Sequence, residues 1–185
     1  MNEIFDIVDK IDRVLGQASR FEIHEKGLLH RSIHIFCRTG PNKWVLQRRS
    51  SQKDLDPLMW TTSCSGHVDT GESYLQAAVR ECREELGVHV SAHELSEILR
   101  LSPCFETGNE FVRVYLLQNF IHPLPDLDEI SEIFVGSLDE INQMLTNNRS
   151  GFSKAFRHIF KLTRRKLSHF TLSLIHISEP TRPLY

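Results

Sequence analysis

GHVDTGESYLQAAVRECREELGV, residues 66–88, places five carboxylates among small and apolar residues. At about 100° per residue, Tyr74 to Leu86 forms a helix with Leu75, Val79, Cys82 and Leu86 on one side and Glu81, Glu84 and Glu85 on the other. Gly87 stands where a helix C-cap glycine belongs, and the loop GHVDTGES leads in with glycines at both ends. Like charges three and four residues apart cost an isolated helix about a few tenths of a kcal/mol per pair, so the cluster needs an offset. Spacing alone leaves two open: a hard divalent cation such as magnesium or manganese, or ion pairing with Arg80 and Arg83 on a solvated face.

Outward from this stretch, the chain has 185 residues, 40% of them hydrophobic, with 22 basic and 24 acidic side chains. That is enough apolar material for one globular core, and the charge balance suits neither a nucleic-acid coat nor a membrane-surface protein. No apolar run spans a bilayer and the acidic start MNEIFDIVDKIDRV does not read as a secretory signal, so the expected location is cytoplasmic. Cys37, Cys64, Cys82 and Cys104 form no CxxC pair and read as reduced, mostly buried thiols.

The pattern predicts a hairpin from IFDIVD and RVLGQAS, a short helix ending near Gly27, and a second hairpin from SIHIFCR and KWVLQRR around TGPN. LMWTTSCS reads as one further strand. SEILRLSPCFE and EFVRVYLLQNF read as antiparallel strands, and SEIFVGS as a shorter one. LDEINQMLTNN and SKAFRHIFKLTRRKL read as helices, the second with an apolar face of Phe156, Ile159, Phe160 and Leu162. Strands and helices mixed in this way imply an α/β sandwich of one domain over residues 1–170. The tail, residues 171–185, contains LSLIHISEPTR and resembles translated library adapter, so it is expected to be appended sequence without function; the alternative is a terminal strand.

The spacing of Gly66, Glu72, Arg80, Glu81, Cys82, Glu84, Glu85, Gly87 and Val88 resembles the signature of the Nudix hydrolases, with Cys82 in place of the usual aliphatic residue. The flanking HRSIHIFCRTGPNKWVLQRRSSQKDLDPLMWTTSCS is similar to the branch containing isopentenyl-diphosphate isomerase and its hydrolase-like relatives. This resemblance implies an α/β/α sandwich around a mixed sheet. It implies magnesium or manganese on Glu81, Glu84 and Glu85, with the Gly66 carbonyl a further ligand, and a Glu72–Arg80 pair bracing the loop. The implied substrate is a small-molecule diphosphate, a nucleoside diphosphate derivative or similar, with no membrane or stable nucleic-acid partner; folds of this kind often form homodimers. The proton acceptor for an attacking water stays open among Glu81, Glu85, Glu129 and Glu132. One of Arg48 and Arg49 suits the diphosphate, but strand neighbours face opposite ways, so not both. Trp60 and Phe105 read as packing residues, with base stacking the alternative.

The resemblance to the isomerase implies a second reading. His67 follows Gly66, His24 and His30 stand at a matching spacing for a metal, and Glu110 lies about where a catalytic glutamate belongs. Against it, Ser65 occupies the position of the isomerase cysteine, with Cys64 one residue early, and Gly108 replaces an expected glutamate. A third reading keeps the fold as a non-catalytic ligand-binding module, which the intact carboxylate set disfavours.

Overall fold

The computed structural model describes residues 3–177, with side chains as far as residue 171. Two strands, β1 (Ile4–Val8) and β2 (Val14–Ser19), pair antiparallel and lead into α1 (Arg20–Lys26). Ser19 caps that helix, and Gly27, with φ +60°, ends it as the sequence predicts. β3 (His30–Gly40) and β4 (Lys43–Arg49) follow as the second hairpin.

LMWTTSCS does not make one strand. β5 (Trp60–Thr61) pairs with β4, whereas β6 (Cys64–His67) pairs with β3, and the break falls at Thr62 and Ser63. Both of those side chains are buried and take up backbone hydrogen-bonding groups at the crossing: the Ser63 hydroxyl accepts from Cys37 N–H and donates to the Val45 carbonyl. Alternation of side chains cannot register a change of partner strand.

The remaining order is α2 (Tyr74–Leu86), β7 (Leu95–Leu101), β8 (Glu110–Phe120), β9 (Ile130–Gly136), α3 (Leu138–Asn147) and α4 (Lys154–Ile177). β8 runs parallel to β3 while β7, β9 and the hairpin pairs are antiparallel, which gives the mixed sheet. One core cluster packs α2 against Ile33, Ile35 and Tyr115 of the sheet. A second packs α3 and α4 against Phe36, Trp44 and Leu116, so helices cover both faces.

α4 buries Phe156, Ile159, Phe160 and Leu167. Leu162, expected on that face, is 48% exposed, because steps of three and four from Phe156 reach Thr163 instead. The α4 backbone continues as helix to Ile177, so the alternation in LSLIHIS does not produce a strand there. Residues 178–185, and the reading of the tail as appended sequence, lie outside the described residues. No helix among the described residues is long and apolar enough to cross a membrane.

Candidate active site

Ser73 caps α2 in a reciprocal box with Gln76, and Gly87 closes it in the left-handed region, so both ends are fixed by side chains the local sequence supplies. Arg80 is the hub of its exposed face. Its guanidinium donates to both Glu72 oxygens at 2.9 Å, to Glu81 at 2.7 Å, to Glu84 at 3.0 Å and to the His67 carbonyl at 2.9 Å. The loop is therefore tied to the helix by the Glu72–Arg80 pair, and part of the carboxylate repulsion is met within the protein.

Glu85 departs from the helical-wheel picture. It is only 3% exposed and sits on the inner side of the carboxylate cluster. One of its oxygens accepts from the Gln47 side-chain amide at 2.8 Å and from Ser65 N–H at 2.9 Å. The other amide atom, Gln47 Oε1, is buried with no hydrogen-bond partner. Burial, with Glu85 beside it, pushes the Glu81 carboxyl up from 4.5 to about 8; burial raises Glu85 as well, against the Ser65, Cys64 and Gln47 hydrogen bonds that favour its anion. Two adjacent carboxylates whose ionisation burial disfavours, next to an orphaned amide oxygen, fit a hard divalent cation. Gly66 is required beside them: a Cβ there would lie 1.9 Å from a Glu81 oxygen. Gly66→Ala is accordingly expected to cut turnover by up to about a hundredfold through an ångström-scale shift of Glu81, with circular dichroism unchanged. Wild-type turnover in that variant would remove Glu81 from the site.

These carboxylates line a cleft of about 670 Å³, and the strand carrying Arg48 and Arg49 decides which arginine enters it. Arg49 lines the cleft and its Nε donates to the Leu55 carbonyl at 2.9 Å; Arg48 pairs with Glu132 at 3.4 Å and does not line it. Glu129 lines the cleft and is ion-paired with Lys53, whereas Glu132 does not line it. Lys53 belongs to a polar loop that no periodicity marks, so sequence reasoning missed it. Trp60 packs edge-on against Phe134 in the core, as expected. Phe105 does not pack: it is 80% exposed on the cleft, with Lys154 Nζ 4.5 Å from its ring centre.

A second donor cluster adjoins the first. His24 on α1, His30 on β3 and His67 on β6 bring one ring nitrogen each within 4.8 Å of one another. Glu110 lies between two of them, 3.2 Å from His67 Nε2 and 3.4 Å from His30 Nε2, and accepts from the Ser32 hydroxyl at 2.6 Å. Burial lowers His24 to about 4 and lowers His67 too, leaving their rings neutral and able to ligate at neutral pH. Burial alone would raise Glu110, but the hydrogen bonds with His30 and His67 hold it well below the usual carboxylate range. Ser65 lines the cleft, while Cys64 is fully buried behind it. Gly108 adopts the left-handed conformation at φ +66°.

Fold and site together define an α/β domain whose loop and helix present acidic donors to a cleft that also holds Arg49 and Lys53. The chain belongs to the Nudix family: a model of the NUDIX domain matches residues 28–158. It is 33% identical over 165 residues to an uncharacterized Nudix hydrolase of Clostridium acetobutylicum, covering 83% of this chain and 80% of that one. It is 30% identical over 161 residues to isopentenyl-diphosphate delta-isomerase 2 of Photorhabdus laumondii, covering 86% and 91%. A crystal structure of a Deinococcus radiodurans protein superposes with a TM-score of 0.71 at 30% identity, covering 88% of this chain and 98% of that one. Family membership supports a diphosphate hydrolase and α/β/α architecture.

Proposed function

We propose that this protein hydrolyses a diphosphate linkage in a nucleoside diphosphate derivative or similar organic diphosphate, with magnesium or manganese. The observation that carries this reading is the shared cleft, in which partly buried Glu81 and buried Glu85 meet Arg49 and Lys53. Glu81, Glu84 and Glu85 would hold the ion, with the Gly66 carbonyl beside them. When bound, it supplies Lewis-acid polarisation of the diphosphate and a water that ionises near neutral pH. Arg49 offers a planar guanidinium whose Nη groups suit phosphate oxygens, and Lys53 a point charge on the same side. Arg80 and Glu72 fix the loop and keep the carboxylates in place. Glu81, Glu85 and Glu129 remain in reach of the cleft as proton acceptors, and Glu132 does not line it. Four free cysteines agree with a reducing compartment.

A second reading, isopentenyl-diphosphate isomerisation, draws on one specific observation: the convergence of His24, His30 and His67 on Glu110. Ser65 in the place of the isomerase cysteine counts against it, since a hydroxyl is a far weaker acid than a thiol. The deciding assay incubates the protein and magnesium with nucleoside diphosphate derivatives, capped dinucleotides, coenzyme A, thiamine diphosphate and isopentenyl diphosphate. Release of phosphate-containing products is expected. Formation of dimethylallyl diphosphate without cleavage would transfer the assignment to the isomerase.

A further inference from the structure

We propose that Cys64 adds a sulfur donor to the Glu81–Glu85 carboxylate pair, so that this site takes thiophilic divalent cations such as Zn2+, Co2+ and Cd2+ as well as hard ones. The inference rests on the preceding reading that these carboxylates bind metal. On β6, Ser65 and Gly66 line the cleft, while Cys64 is fully buried behind it in the core cluster that includes Cys82 and Leu86 of α2. The position of Gly66 against Glu81 shows how closely the strand approaches the helix carboxylates. Cys64 Sγ and one oxygen each of Glu81 and Glu85 lie within 4.8 Å of one another.

A second observation is independent of the thiol. Gln47 Oε1 is buried without a partner on the very amide that donates to Glu85 at 2.8 Å. A carbonyl oxygen so placed is a neutral donor beside the two carboxylates. Cys64, Gln47 and Glu85 are almost wholly buried, so the sulfur and the amide stand on the solvent-shielded side of the carboxylate pair, while Glu81 keeps its side open to the cleft. Magnesium sheds its waters reluctantly and has little use for sulfur. Zinc, cobalt and cadmium accept both a thiolate and a reduced coordination number, and the ion's own charge stabilises the thiolate, whose proton passes to solvent.

Electronic absorption of the metal-free full chain titrated with Co2+ tests this. A thiolate-to-cobalt charge-transfer band is expected in the near ultraviolet. Cys64→Ser should abolish the band and weaken Cd2+ and Co2+ binding by at least about tenfold, the lower end of what losing even an outer-shell partner costs. Binding of Mn2+, followed by electron paramagnetic resonance, should be unchanged. Cys82→Ala, which removes the neighbouring buried thiol, should keep the band. Should C64S fail to fold, Cys64→Val gives the same readout with an apolar side chain of similar size. Stoichiometric Co2+ binding without a band, a band that survives loss of Cys64, or no Co2+ binding would each overturn the proposal. Failure of the underlying reading looks different: Mn2+ would then bind equally well to Glu85→Gln.

Discussion

Glu85→Gln is expected to abolish diphosphate hydrolysis while raising the melting temperature of the metal-free protein. Activity should fall by at least about a hundredfold, because the change removes a direct donor rather than an outer-shell partner. The stability gain follows from burial. Glu85 is 3% exposed, lies beside partly buried Glu81, and its hydrogen-bond donors, the Gln47 amide and Ser65 N–H, carry no charge to set against that of Glu81. Glutamine keeps an oxygen for Ser65 N–H and takes away one buried negative charge, a relief of about 1–3 kcal/mol. For a chain of this size that amounts to roughly 2–4 °C per kcal/mol in thermal unfolding, measured with a chelator present. Function held at the expense of stability is the pattern expected where a site is built around an ion. A variant that is less stable in chelator yet active would show Glu85 to be a structural residue.

The wheel drawn from residues 74–86 found the helix because its limits are local: Ser73 and Gln76 at one end, Gly87 at the other, and an apolar stripe between. It misjudged Glu85 because the groups that bury it, Gln47 and Ser65, come from β4 and β6, and no single-segment periodicity contains them. Arg48 and Arg49 illustrate the same boundary. Alternation along a strand dictates that only one enters the cleft, but which one depends on the pairing of β4 with β5 and β9, a tertiary fact. His24, His30 and His67 were each legible as possible ligands and unconvincing singly; their convergence requires α1, β3 and β6 to meet, with Phe5 stacked on His67 at 4.6 Å. Phe105 was misread because an aromatic residue near a strand end ordinarily packs. Here Pro103 and a short 3-10 turn at Phe105–Thr107 end the strand early and turn the ring outward.

Between pH 6.5 and 8 the metal-free protein is expected to lose stability relative to its Glu81→Gln variant, and a saturating divalent cation is expected to remove that relative loss. The sign follows from proton binding in the two states. Glu81, raised from 4.5 to about 8 by burial and Glu85, keeps its proton in the folded chain at pH values where the unfolded chain has lost it. Its contribution is therefore full below about 4.5 and declines as pH rises toward 8. Histidines act in the opposite direction but lower down. His24 and His34, both lowered to about 4 by burial, and His67, also lowered, raise stability as pH climbs through their ordinary value of 6.5, and they are neutral in both states only from about a pH unit above it. Glu110, held well below 4.5, has completed its contribution before the window opens. Between 6.5 and 8 the Glu81 proton thus contributes a slope whose upper bound is about 2 kcal/mol across the interval, opposed by the last histidine protons and by the Cys82 thiol, which hydrogen bonds with Cys37 and Cys64 lower to about 5. A bound cation replaces the Glu81 proton and ionises the carboxylate, so the Glu81 slope should vanish with magnesium or manganese. Urea unfolding at pH 6.5, 7.2 and 8.0, in chelator and in excess metal, measures the effect, and the difference between wild type and Glu81→Gln isolates it. An identical slope in Glu81→Gln would place the titrating group elsewhere and separate the pH response from the carboxylate pair.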